Sequence, residues 1–214
     1  VAITIGDRLV AETLLSLERT HASRLLRVVD TLLSEAGLDL NGIDGFAAAI
    51  GPGSFTGLRI GVATVKGLAL ATGKPVCGFS SLAMLAMNMS GASYPVCPML
   101  DARKKEVYAA LYDCRGLPAP IIEDCVVAPG EILDRLDAVT IFVGEGAMAY
   151  RDQITERMGE KAIFAPFPLN LPRASCGAVL AGIAFADGKG IPPSALLPRY
   201  IRPSEAEMAK EKRL

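Results

Sequence analysis

Tryptophan is absent from this chain of 214 residues, and histidine occurs once, at His21. One imidazole is a thin basis for a nucleophilic triad. For a metal site only Glu18 stands near it, and Arg24 and Arg27 follow where further ligands would be needed. His21 therefore reads as an ordinary helix-start residue, and no metal site is expected. The carboxylates show no spacing that pairs them for acid–base work. Five cysteines (Cys77, Cys97, Cys114, Cys125 and Cys176) are scattered without a Cys-x-x-Cys pair, so neither a zinc site nor a disulfide framework is indicated. They read as reduced, buried small hydrophobes in a cytoplasmic protein. An excess of one charge is also missing: 22 Lys+Arg stand against 23 Asp+Glu, and without a dense basic stripe there is little electrostatic reason to bind RNA or DNA alone. No basic-then-apolar leader opens the chain. The most apolar stretch, 57–71, is interrupted by Arg59 and Lys66 and is too short to span a bilayer.

What is present is a globular composition, 51% hydrophobic and 21% charged, with length for one large domain or two small ones. Residues 1–5 and 8–15 read as a β-hairpin around Gly6-Asp7. Over 20–36, Leu25, Val29, Leu32 and Ala36 keep helical spacing, Leu26 and Leu33 add a neighbouring stripe, and Gly37 is a C-terminal stop. A strand over 43–50, a glycine-rich turn, a helix to 71, a strand over 76–79 and a helix capped by Ser80 or Ser81 complete an α/β layer. Gly91-Ala92-Ser93 is a candidate boundary, dividing the chain into lobes 1–93 and 94–214, with the tail returning to the first lobe. Strands are then expected at 96–100, 107–112, 121–127 and 139–143, and helices at 130–137, from the Gly144-Glu145-Gly146 turn to 158, and at 175–186.

The run Gly51-Pro52-Gly53-Ser54-Phe55-Thr56-Gly57-Leu58-Arg59-Ile60-Gly61 is the most informative segment. It forms a strand-to-helix turn, with Ser54 placed to cap the helix. A helix N-terminus of this kind is a generic anion site. The spacing matches neither a Walker A loop nor Gly-x-Gly-x-x-Gly, however, and Lys66 lies deep in the helix. Packing accounts better for Gly57 and Gly61, each of which costs roughly 1 kcal/mol against Ala inside a helix. Gly57, Gly61, Thr64 and Leu68 share one helical face, where small residues let another helix approach closely. That helix is either the chain's own 20–36 segment or a partner's, met by a surface that includes Leu25, Val29 and Leu32. Two further loops carry alternatives. The turn 101–106 is a solvated hairpin tip or a phosphate-side loop, and Gly144-Glu145-Gly146 is a tight turn or a backbone ledge under an adenosine.

The glycine run, Lys66-Gly67-Leu68-Ala69, Ser80-Ser81-Leu82, Asp101-Ala102-Arg103 with Glu106-Val107-Tyr108, and Pro198-Arg199-Tyr200-Ile201-Arg202 resemble the bacterial TsaB (YeaZ) proteins over essentially the whole chain. The resemblance implies an α/β, two-lobed actin-like (ASKHA, ribonuclease H-like) fold. It implies a role in making threonylcarbamoyladenosine beside the anticodon of tRNA, as the non-catalytic partner of the paralogue TsaD, with TsaE as an ATPase component. Pairing is expected through the first two helices of the N-terminal lobe, as a heterodimer with TsaD or as a homodimer in its absence. tRNA is then met only through the complex, and no membrane is involved. No cofactor is certain. A residual nucleotide cleft holding ATP or ADP weakly would use Asp101, Gly144 and Gly146. Family members begin with a strand that ends in a phosphate-side loop, and this sequence starts after it, so the first strand of the fold is expected to be missing. The rival readings are a stand-alone actin-like ATPase or phosphotransferase and, less favoured, a metallopeptidase.

Overall fold

The computed structural model describes residues 1–16 and 22–202. The first hairpin pairs β1 (Ala2–Ile5) with β2 (Arg8–Glu12), and Gly6 turns at φ 57° where a side chain is disfavoured. Then come α1 (Ala22–Glu35), β3 (Phe46–Gly51), α2 (Phe55–Thr72) and β4 (Val76–Ser80). Strands β3 and β4 pair in parallel with α2 as the crossover. Ser54 Oγ accepts from the Gly57 N–H at 3.3 Å and starts α2. Gly73, left-handed at φ 70°, ends it by donating to the Ala69 carbonyl. Leu58, Val62 and Ala69 form the inward side of α2. Val62 and Ala69 pack with Ala48, Val76 and Leu196 into the small core of this half.

Of the two candidate caps for the next helix, α3 (Ser81–Ala86), the residue used is Ser80, whose Oγ accepts from the Leu82 and Ala83 amides. A five-stranded sheet follows, built from β5 (Val96–Asp101), β6 (Val107–Asp113), β7 (Ala119–Val127), β8 (Thr140–Val143) and β9 (Ala162–Phe164). The spatial order is β7-β6-β5-β8-β9. The first three strands are mutually antiparallel, whereas β8 and β9 join in parallel. Helix α4 (Pro129–Leu133) precedes β8. The helix expected after Gly144 is two, α5 (Glu145–Ala149) and α6 (Arg151–Met158), because Tyr150 at φ −109°, ψ 22° leaves helical geometry. Strand β9 was not expected; its three residues are too few to show a period.

Two helices cross between the halves. Helix α3 buries Leu82, Leu85 and Ala86 among Val96, Ala110, Tyr112 and Val143 of the five-stranded sheet. Helix α7 (Ala174–Ala186) carries no charged residue and returns to pack on β1, β3 and β4. The other face of the large sheet holds Met99, Phe142 and Val107 against Ile132, Leu133 and Ile154. All five cysteines are free, and burial pushes their thiols up, Cys114 to about 11. Among the described residues no helix is long and apolar enough to cross a membrane.

Candidate functional site

The backbone that comes close to the glycine turn is the chain's own. A Cβ on Gly51 would lie 2.6 Å from the Arg199 carbonyl oxygen, and Gly51 sits at φ 127°. Arg199 donates its amide to the Ile50 carbonyl at 2.7 Å. Residues 194–202 form a strap around this point. Lys66 Nζ donates to the Ser194 and Leu196 carbonyls at 3.2 Å each, which explains a lysine deep in an apolar helix. Tyr200 stacks on Phe55 with ring centroids 4.8 Å apart. Arg59 lies 3.9 Å over the Phe55 ring and donates from Nε to the Tyr200 hydroxyl at 2.9 Å. Arg202 then reaches the β5–β6 turn, donating to the Ala102 carbonyl at 2.6 Å and pairing with Glu106.

With the strap on one side of α2, the opposite side is open. Helices α1 and α2 touch, but the contact does not use the glycines. A Cβ on Gly61 or Gly67 would meet nothing within 4 Å, and one on Gly57 would touch only its own cap, Ser54, at 3.5 Å. Gly57 is exposed, and Gly61, Thr64 and Leu68 are half-buried. On α1, Leu25 and Val29 are half-buried. Leu32, expected at a partner surface, is only 5% exposed and serves the packing of this chain instead. The apolar side chains that do face solvent are Leu26 at 49% on α1 and Leu70 at 68% on α2. Neither stood out in the sequence, since exposure of one leucine in an apolar stripe has no local signal.

A cleft of about 520 Å³ lies beside the start of α2, between the two halves, and is bounded by α3, the end of β5 and the start of α5. Asp101 is in its wall, as expected of a cleft residue, and its Oδ1 accepts from the Arg103 amide at 2.8 Å. Gly144 and Gly146 are elsewhere, buried under α5. A Cβ on Gly146 would lie 2.9 Å from Met99 and Leu100 backbone atoms, and one on Gly144 would collide with the Met99 carbonyl. The Gly144 N–H already donates to Asn170 Oδ1 at 2.8 Å. Helix-on-strand packing therefore accounts for both glycines, and they do not stand with Asp101 in the cleft. The adjacent turn is unusual: Arg103, Lys104 and Lys105 are consecutive non-glycine residues at φ 62°, 54° and 62°. Each such residue costs roughly 1–2 kcal/mol. Arg202 and the Asp101 carboxylate hold the turn in place.

Buried Asp124 on β7 joins the halves. It accepts from Ser80 Oγ at 2.7 Å and from the Tyr112 hydroxyl at 2.8 Å, with Arg199 3.6 Å away. Burial, followed by the Asp124 charge and hydrogen bond, pushes the Tyr112 phenol well above its ordinary range. Glu12, only 7% exposed, ties β2 to the start of α7. Its Oε1 accepts from the Ser175 amide and hydroxyl at 2.9 Å each, and Arg173 reaches Oε2 at 2.6 Å. Among the described residues no group of three or more His, Cys, Asp or Glu side chains is placed to hold a metal ion. His21 lies outside the described residues.

Comparison with known proteins places this geometry. The family model described as "TsaD: tRNA N6-adenosine threonylcarbamoyltransferase" matches residues 9–210. The chain is similar to the tRNA threonylcarbamoyladenosine biosynthesis protein TsaB of Bacillus subtilis, 30% identical over 97% of this chain and 90% of that protein. It is 32% identical to Escherichia coli TsaB, over 86% of this chain and 81% of the relative. Among solved structures, an uncharacterized Pseudomonas aeruginosa protein described as similar to peptidase YEAZ superposes with a TM-score of 0.74. It is 36% identical, over 86% of this chain and 85% of that one. A second, titled YeaZ from the same organism, also gives 0.74. The mixed sheet and these likenesses fit the two-lobed actin-like, ribonuclease H-like fold.

Proposed function

We propose that this chain, which belongs to the TsaB (YeaZ) family, is the non-catalytic subunit that docks on TsaD through the open side of α1 and α2. A role in tRNA threonylcarbamoyladenosine biosynthesis comes with the family, whose curated members carry that name. The observation that carries the finer reading is the vacancy along α2. Its glycines pay a helix-propensity cost, and nothing in the chain lies against Gly61 or Gly67. Small residues without a neighbour, flanked by exposed Leu26 and Leu70, suit a helix-on-helix contact with another protein. TsaD is the occupant favoured by the family, and a second copy of this chain takes the same surface when TsaD is absent. TsaE joins the assembled pair.

The test is copurification. Gly61→Arg has open space in the isolated chain, so its melting temperature stays near that of the wild type. A guanidinium on that helix side blocks a close crossing, and TsaD no longer copurifies. Full recovery of TsaD with a folded Gly61→Arg chain rejects the docking surface.

A further inference from the structure

We propose that the mouth of the inter-lobe cleft is a contact site for a single-stranded RNA segment, with phosphates on the Arg103–Lys105 turn and a base on the Phe55–Tyr200 stack. The choice of RNA rests on the pathway reading above; the site itself rests on geometry. The chain has a net charge of -1, yet the fold gathers cations from three distant segments around one opening. Arg59 comes from α2, Arg103 and Lys105 from the β5–β6 turn, and Arg199 and Arg202 from the strap.

Three features point to an occupant. First, the turn keeps three successive residues in a left-handed conformation. Strain of this kind persists where the surroundings over-determine it, and it concentrates at ligand clamps. Here the strap supplies that restraint, because Arg202 grips both Ala102 and Glu106. Second, Phe55 and Tyr200 are 40% and 41% exposed although they stack. An exposed aromatic pair backed by a guanidinium is a platform for an unstacked base. Third, the charges are segregated. Asp101 and Glu145 line the cleft wall, which repels a phosphate placed deep inside, whereas the strained turn puts Arg103 and Lys105 on the exposed rim. A free nucleotide seated in the cleft suits this distribution poorly. A strand crossing the mouth, phosphates outward and one base on the stack, suits it well. Base stacking together with basic side chains is also how proteins recognise unpaired RNA in general.

The probe is a fluorescein-labelled stem-loop RNA with an unpaired loop, and a blunt RNA duplex of equal length is the comparison. Both are titrated by anisotropy into the purified full chain at low salt. The loop RNA is expected to bind at least several-fold tighter than the duplex. Tyr200→Ala should weaken it by about 5- to 100-fold, the range for losing one stacked base, while Tyr200→Phe keeps the ring and retains binding. Arg103→Glu and Lys105→Glu should each weaken binding and lower the slope of log K against log salt by about 0.7 per phosphate lost. Lys161→Glu makes the same charge change on the β8–β9 side and should leave binding unaltered. Gly61→Arg should also bind RNA normally, so loss of TsaD docking and loss of RNA contact are separately visible. The proposal is overturned if the loop RNA does not bind, or if Lys161→Glu weakens it as much as Lys105→Glu. It is equally overturned if the rim variants bind RNA normally but lose a protein of the complex, which would make the occupant a protein.

Discussion

Replacing Gly61 by alanine should stabilise the isolated chain, and the sign of that change depends on what lies against α2. The added methyl group meets nothing within 4 Å. The substitution then brings only the helix-propensity gain, about 0.8–1.0 kcal/mol for Gly to Ala in a helix interior. For a chain of this size about 1 kcal/mol moves the melting temperature by roughly 2–4 °C. Gly144→Ala is the opposite case. Its φ of 107° disfavours any side chain, and the new methyl would run into the Met99 carbonyl and Leu85. Overpacking costs about 1–3 kcal/mol, and the backbone conformation adds roughly 1–2 kcal/mol, so a loss of about 3 kcal/mol is expected. Differential scanning calorimetry on both variants reads the two signs directly. A lower melting temperature for Gly61→Ala would mean that α1 or another segment already occupies that side, and the vacancy would be refuted.

Other perturbations probe the ties between the halves. Burial alone would raise the Glu12 carboxyl, but the Ser175 amide, the Arg173 guanidinium and the Ser175 hydroxyl outweigh it and hold it below the usual carboxylate range. A lowered folded pKa stabilises the fold above the unfolded value of about 4.3 and is lost as pH falls through the folded one. Glu12→Gln should therefore cost about 1–2 kcal/mol at neutral pH, and urea melts should show the gap to wild type shrinking in acid; a constant gap contradicts the assignment. Ser80→Ala removes the α3 cap and one donor to buried Asp124, so a loss of about 2 kcal/mol by urea denaturation is expected. A change within experimental error would show that the network is not coupled to stability. Arg202→Ala frees the strained turn, so trypsin should cleave after Arg103, Lys104 or Lys105 several-fold faster; unchanged cleavage would mean that the strap does not hold the turn.

Much of the fold was legible because it is local. Helix α2 was bracketed by Ser54 and Gly73, and a β-hairpin was visible around Gly6-Asp7. The short β9 and the break at Tyr150 were not, since neither leaves a period to detect. At the candidate site, Gly57 and Gly61 were identifiable from helical spacing. Their separation from any neighbour was not, because spacing cannot say whether a facing helix belongs to the same chain. Leu32 looked like part of the outward stripe and turned inward, while Leu26 took the exposed place. Gly51 was legible as a turn residue, but the backbone that needs its missing side chain arrives from Arg199. The Arg59–Tyr200 contact spans 141 positions, a distance at which sequence pattern carries no pairing information.

Reconstituted tRNA threonylcarbamoylation tests the central claim most directly, run with TsaD and TsaE in three arms: no added chain, wild-type chain, and Gly61→Arg at the same concentration. The expected result is modification with the wild type alone, with the Gly61→Arg chain as folded by calorimetry as the wild type. Modification at the wild-type rate in either of the other two arms would contradict a subunit that works by docking α1 and α2 on TsaD.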